Sequence, residues 1–267
     1  MRSSLFSPIK ICYHLLMKPI KGLGQNFLKD NRALKKIIDS ANLSEKDIVL
    51  EIGPGKGVLT KELLPRVRKV IAIEKDYRMI EYLQEKFKDS QNLELISGDV
   101  LHPVEHIPYP YKVVANIPFY ITAPIIRMFL ESKNPPEQMT LIIQKEVAQR
   151  ICDKKKMSIL ALSVLFYADA KIISYISKRS FSPAPKVDSA IIQIIPKKKY
   201  KTNPEDFFKV IRAGFAHPRK QLVNNFSTEL KIPREKIIEI FTKNNIPEKI
   251  RAEDLDIDKW ILLVSFF

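Results

Sequence analysis

The chain has 267 residues, with 45 Lys+Arg against 30 Asp+Glu, a formal charge of +15, 45% apolar residues and two cysteines. That balance excludes a disordered or fibrous protein and leaves one good-sized domain, or one with a small satellite. No apolar run reaches the roughly 18–20 residues of a membrane helix, and Cys12 and Cys152 are too few for a disulfide framework or, without many other ligands, a zinc site, which points to a reducing compartment.

The first 29 residues hold no acid and include Arg2, Lys10, Lys18 and Lys21. They resemble a weak organellar transit segment and equally an ordinary basic arm. The lack of an apolar core with a small-residue cleavage site argues against secretion, so the cytoplasm is the expected location and an organelle the alternative. From Ile48 the chain alternates β-rich and helical patterns. Apolar runs at Ile48–Ile52, Val70–Ile73, Leu93–Ile96, Val113–Ala115 and Met139–Ile143 flank helical spacing at Val58–Arg66, Tyr77–Lys88 and Ala123–Glu131. Short runs without polar alternation fit strands buried on both faces, hence a largely parallel sheet covered by helices, an α/β fold. Lys171–Ile176 and Ser189–Ile195 would close the sheet as a hairpin edge. After a basic linker, Pro196–Asn203, the pattern turns helical: Pro204–Phe215, Gln221–Leu230, Glu235–Asn244 and Glu253–Phe267. The expected organisation is an α/β domain over residues 1–200 and a small all-helical domain over 201–267.

Charge is uneven. Residues 1–36 carry +7, 197–220 carry +6 and 145–156 carry +3, while the other 195 residues together carry −1. One lysine run is ordinarily a solvated face. Three beside a neutral body suggest a polyanion-binding surface, and nucleic acid suits it better than membrane because none of the runs forms a strongly amphipathic, aromatic-rich helix. Lys145, which opens the middle run, and Arg212, Arg219 and Lys220 in the helical region are candidate phosphate contacts.

Three of the seven glycines fall in Gly53-Pro54-Gly55-Lys56-Gly57, directly after the Ile48–Ile52 strand. Glu74 ends the next strand, and Gly98-Asp99 ends the third. Glycines at a strand-to-helix turn admit close backbone approach, and an acid ending the second strand can accept both ribose hydroxyls. The alternative is a tight turn and nothing more. NAD fits poorly, because Val58 stands where its fingerprint wants a small residue, and no Gly-Lys-Ser/Thr follows to make a P-loop. Glu51 would repel a pyrophosphate and welcome a cation, so S-adenosylmethionine is the expected ligand, with Asp99 accepting from the adenine amine.

The fourth strand runs into Asn116-Ile117-Pro118-Phe119-Tyr120. An exocyclic amine on a base is a poor nucleophile because its lone pair is delocalised into the ring. The Asn116 side-chain carbonyl and the Ile117 main-chain carbonyl can accept the amine hydrogens and favour a pyramidal nitrogen, while Pro118 stiffens the turn and Phe119 stacks on an extruded base. With a sulfonium leaving group, in-line positioning matters more than a general base, so His14, His102, His106 and His217 need no catalytic role.

In order along the chain, Gly24-Gln25-Asn26-Phe27-Leu28, Glu51-Ile52-Gly53-Pro54-Gly55, Ile73-Glu74, Gly98-Asp99, Asn116-Ile117-Pro118-Phe119, Gln144-Lys145-Glu146-Val147 and Phe181-Ser182-Pro183-Ala184-Pro185-Lys186-Val187-Asp188-Ser189 resemble the ribosomal RNA adenine dimethyltransferase family, most of all its KsgA branch. The resemblance spans Gly24 to about Leu255. It implies a Rossmann-like class I methyltransferase sheet and dimethylation of N6 on two adjacent adenosines of a small-subunit rRNA hairpin during ribosome assembly, by a monomer docking on a pre-ribosomal small subunit. By resemblance, Gln25, Asn26 and Leu28 close over the methionine end of the cofactor, Gly53 and Gly55 form its loop, and Phe119 and Phe181 sandwich the target base. Ile117 and Phe119 depart from the branch's usual Asn-Leu-Pro-Tyr and also occur in the Erm branch, which acts on large-subunit rRNA. Lys156-Met157-Ser158 replaces a Tyr-Gly pair. Phe215–Leu222 and Arg251–Leu255 resemble the KsgA branch. The alternatives are an Erm-type enzyme and a non-catalytic assembly or transcription factor on the same fold.

Overall fold

A computed structural model describes residues 19–102, 107–153, 155–197 and 200–267. The basic arm before residue 19, with Cys12 and His14, lies outside the described residues, as do His106, Lys154 and Lys198–Lys199. Among the described residues nine strands run in order: β1 (Phe27–Leu28), β2 (Ile48–Ile52), β3 (Lys69–Glu74), β4 (Leu93–Ser97), β5 (Lys112–Asn116), β6 (Gln138–Gln144), β7 (Ala168–Ile176), β8 (Phe181–Ser182) and β9 (Ser189–Pro196).

Seven of them form one sheet in the order β4-β3-β2-β5-β6-β9-β7. The first five pair in parallel, with Ile48 opposite Lys69 and Val49 opposite Lys112, and β9 runs antiparallel to β6, with Ile142 opposite Ile191. Lys197 N donates to Tyr167 O at one end of β7 and Lys178 N to the Asp188 carboxylate at the other, so β7 and β9 are also antiparallel, as the hairpin-edge reading anticipated. Strand β2 is buried at every position, which is why its sequence shows no polar alternation. Helix α1 (Asn31–Ser40) is capped by Asp30, whose side chain accepts from the N–H groups of Arg32 and Ala33, and it buries Ala33, Ile37 and Ile38. Helices α2 (Val58–Leu63), α3 (Tyr77–Lys86) and α4 (Thr122–Leu130) follow β2, β3 and β5, as βαβ connections require. Beside the sheet, β1 and β8 form a two-stranded antiparallel ribbon.

The chain divides into two compact units, but not at one point. Residues 1–148 and 171–196 make the first; residues 149–170 and 197–267 make the second. The expected single break after residue 200 is therefore replaced by a discontinuous division. Its physical reason is α6 (Ile159–Tyr167), which follows α5 (Lys145–Cys152): α6 is apolar nearly all round and packs among the C-terminal helices. Its Phe166 ring stacks on Phe207 at 4.3 Å between centroids. Met157 N–H donates to Glu253 O, and Lys156 pairs with Glu253 and Asp254. The other members are α7 (Pro204–Gly214), α8 (Leu222–Leu230), α9 (Arg234–Lys243) and α10 (Ile257–Val264), centred on the fully buried Trp260. A Cβ on Gly214 would overlap the Trp260 ring, which accounts for the one glycine far from the sheet. Among the described residues no helix is long and apolar enough to cross a membrane.

Candidate functional site

A cleft opens at the carboxyl ends of β2, β3, β4 and β5 in the first unit. Its floor is the glycine turn. Gly53 and Gly55 adopt φ of +65° and +54°, the left-handed region that side chains resist. A Cβ on Gly55 would lie 2.8 Å from the Phe27 ring, while one on Gly53 would meet nothing within 4 Å, so the turn is tight on one side and open on the other. The N–H groups of Gly53, Gly55 and Gly57 donate to Ile73 O, to Glu74 Oε2 and to Pro54 O. All three are committed inside the protein, so the turn is not a phosphate cradle.

Glu74 is 7% exposed, and its carboxylate accepts Gly55 N–H on one oxygen and Asp76 N–H on the other. Burial holds its carboxyl above the ordinary range against those two hydrogen bonds. An ionised carboxylate offers about four lone-pair sites, so two remain for a ligand's hydroxyls. Asp99 lies one strand further out. Lys75 Nζ donates to its Oδ2 at 2.8 Å and Leu101 N–H to its Oδ1, and the lysine holds the carboxyl below its usual range. The Lys75 side chain is 55% exposed, so this is a weak surface pairing that a ligand can displace.

Residues 20–28 form a strap along the cleft. Ile20 N–H donates to Gln25 Oε1, and Gln25 Nε2 to Asp76 Oδ2. The Asp76 carboxylate also takes Arg78 Nε and Nη2, and this guanidinium keeps its carboxyl low. At the far end, Leu28 pairs with Phe181, Lys29 N–H donates to Ser180 O, and Ser180 Oγ to Asp30. Between these anchors Asn116 Nδ2 donates to Asn26 O at 2.9 Å. A carbonyl can only accept, so this bond sets which end of the amide is which, and it leaves Asn116 Oδ1 as the free acceptor. Ile117 N–H is tied to Ile142 O on the neighbouring strand.

Of the residues expected at the site, Gln25, Asn26, Gly53, Gly55, Glu74, Asp99, Asn116, Ile117, Pro118 and Phe119 line this one cleft. Three do not. The Leu28 side chain is buried with Ala33 and Ile37. Phe181 is 2% exposed in the same cluster, because its pairing with Leu28 turns the ring inward; it does not face Phe119 across a base. Glu51 is 1% exposed and sits behind the turn, where Thr60 Oγ1 donates to its Oε2 and its Oε1 has no partner among the described residues. Burial and nearby Glu74 push its carboxyl up to about 8. The aromatic side chains that do line the cleft are Phe27, Phe119 and Tyr120. Phe27 and Tyr120 stood inside quoted motifs without a role. Lys75 was missed, although its place between two acids was a signal. Lys145 does not line the cleft: its Nζ lies 5.3 Å from the centroid of the Tyr175 ring. Arg212, Arg219 and Lys220 are exposed in the helical unit, with no ion pair among the described residues.

Residues 18–267 match the model of the family described as Ribosomal RNA adenine dimethylase. A "Ribosomal RNA small subunit methyltransferase A" of Dehalococcoides mccartyi is 43% identical over 252 residues, covering 91% of this chain and 87% of that protein. The crystal structure of a dimethyladenosine transferase from Plasmodium falciparum superposes with a TM-score of 0.78 at 30% identity, over 90% of this chain and 97% of that one. The 23S rRNA methyltransferase ErmE superposes with a TM-score of 0.74 at 27% identity, over 90% and 98%.

Proposed function

The chain belongs to the ribosomal RNA adenine dimethylase family, and from that premise we propose that it dimethylates N6 of two adjacent adenosines in a small-subunit rRNA hairpin, using S-adenosylmethionine, during assembly of the small subunit. The observation that carries this is the oriented amide of Asn116 in a cleft that also holds Glu74 and Asp99. The site suits the cofactor: the glycine N–H groups are already used, which disfavours a pyrophosphate, and the lining acids suit ribose, adenine and positive charge. Glu74 would hold the ribose, Asp99 the adenine amine, and Gln25 and Asn26 the methionine end. When bound, S-adenosylmethionine supplies an electrophilic methyl group on a sulfonium.

The protein's part is positioning and charge. Asn116 Oδ1 accepts one N6 hydrogen of the target and the Ile117 carbonyl the other, so the nitrogen lone pair is freed from the ring and aimed out of its plane. Phe119 holds the base by stacking. No side chain needs to remove a proton before transfer, because N6 becomes acidic only as the new bond forms. The exposed cations Arg212, Arg219 and Lys220 grip rRNA phosphates on the helical unit. The protein works as a monomer in the cytoplasm, on a particle much larger than itself.

The test is transfer of labelled methyl from S-adenosylmethionine to undermethylated small subunits, with protein-free large-subunit rRNA as the other arm and the modified base mapped. Label on two adjacent small-subunit adenosines is the expected result. Label only on large-subunit rRNA would assign the chain to the Erm-type reaction that its Ile117 and Phe119 also fit. Tight RNA binding with no transfer to either would sink both enzyme readings.

A further inference from the structure

Tyr175 stands near the end of the edge strand β7 and is 53% exposed, although it is a large aromatic residue. Lys145, the first residue of α5, places its ammonium over this ring. Just beyond β7, Lys178 and Arg179 are exposed, and Lys186 is exposed in the loop that leads into β9. None of these four cations has an ion-pair partner among the described residues. Elsewhere on the surface such partners are common, as in Lys69 with Glu94, Lys243 with Glu239 and Arg234 with Glu248. Asp188, at the start of β9, is already engaged by the backbone N–H of Lys178.

Topology puts this cluster beside the cleft. Strand β7 runs antiparallel to β9 and β9 antiparallel to β6, so the end of β7, the start of β9 and the end of β6 share the sheet end that carries Asn116. From β5 to β7 is three strand spacings, about 14 Å at ~4.8 Å each. At the ~3.4 Å rise of one stacked nucleotide, that is about four nucleotides.

We propose that Tyr175, Lys145, Lys178 and Arg179 form a shelf that binds the single-stranded RNA beside the target adenosines, with a base stacked on the Tyr175 ring and phosphates on the cations. An exposed aromatic platform beside cations that have no ion-pair partner among the described residues is the pattern of backbone-tracking, sequence-tolerant single-strand binding. The shelf orients the strand before the adenosine enters the cleft and touches neither cofactor nor reacting atoms. It rests on the rRNA-methylation reading only for the identity of its RNA.

Two variants test it, by direct binding of an RNA hairpin with single-stranded flanks and by transfer kinetics on undermethylated small subunits. Tyr175→Ala is expected to raise KM for RNA about tenfold, about 1.4 kcal/mol, with kcat and S-adenosylmethionine affinity unchanged, and Tyr175→Phe to restore KM. The double variant Lys178→Gln/Arg179→Gln should lower the slope of log affinity against log salt by about 1.4, since each phosphate contact on a single strand contributes about 0.7. An unchanged salt slope in the double variant overturns the shelf. So does an unchanged KM for Tyr175→Ala, or a KM that Tyr175→Phe fails to restore. Wild-type protein that binds the hairpin and transfers no methyl group would remove the enzymatic reading while the salt slope still judged the shelf.

Discussion

Replacing Asn116 by alanine removes two interactions that act at different stages of the reaction. One is the Nδ2 hydrogen bond to Asn26 O at 2.9 Å, which ties the strap to the catalytic turn before any substrate arrives. A hydrogen bond of this kind contributes about 0.5–1.5 kcal/mol, so S-adenosylmethionine affinity should fall by no more than about tenfold. The other, in the proposed reaction, is Oδ1, the acceptor assigned to the amine as it pyramidalises. Loss of one group of this type typically costs about 2.7–4 kcal/mol in the transition state, or about 10²–10³ in rate. Single-turnover transfer to saturating small subunits, with cofactor affinity measured by calorimetry, separates the two. Asn116→Asp sharpens the comparison, because it keeps an acceptor but sets a carboxylate oxygen against Asn26 O; it should lose more cofactor affinity than Asn116→Ala. A single-turnover rate within threefold of wild type in Asn116→Ala would refute the assigned role. A rate loss fully restored by saturating cofactor would reduce Asn116 to a binding residue.

Gly55→Ala has to place a Cβ 2.8 Å from the Phe27 ring at φ +54°; about 1–2 kcal/mol of backbone strain and a displaced Phe27 should appear together as a lower Tm and weaker cofactor binding. Phe181→Ala should behave as a core truncation, costing about 3–5 kcal/mol in denaturant unfolding, whereas Phe181→Leu should retain near-normal kcat; a large kcat loss in a well-folded Phe181→Leu would restore the residue to the base-binding role. Glu51 has a folded-state pKa raised from 4.5 to about 8, so the native protein binds the extra proton between those values and stability falls as pH rises through that window. Glu51→Gln should flatten this part of the pH profile and be more stable than wild type at pH 8.5, as judged by urea midpoints at pH 5 and pH 8.5; an unchanged profile would count against a protonated Glu51.

Much of the sheet was legible because its strands are buried on both faces. Ile48–Ile52 could be bounded from sequence since a continuous apolar run ends at Gly53, and the structure gives the same limits. Helix α1 lies between the basic arm and the first strand, where the sequence reading assigned no element, although Asp30 is an ordinary cap. Helix α6 left no periodic signal because it is buried nearly all round, and its membership in the helical unit depends on residues about forty or more positions later, such as Phe207. At the site, Glu74, Asp99 and Asn116 could be found because Glu74 and Asn116 end strands and Asp99 lies two residues beyond one. Burial could not be read in the same way. Glu51, Leu28 and Phe181 occupy motif positions, yet their side chains face inward for reasons fixed by the β1–β8 ribbon and the packing of α1 and α2. Lys75 escaped notice because its partner Asp99 is 24 positions away.

The discontinuous helical unit constrains how this polypeptide comes into being. When synthesis reaches residue 196, every strand of the sheet has been made, but Leu162 and Phe166 of α6 still lack the apolar partners between Phe207 and Leu263 that bury them. A nascent chain paused there carries the apolar helix α6 before the C-terminal residues that bury it have been made. For the same reason a clean dissection needs three cuts, after residues 148, 170 and 196, with residue 148 bridged to residue 171. Truncation after residue 200 would instead leave part of the second unit stranded on the first.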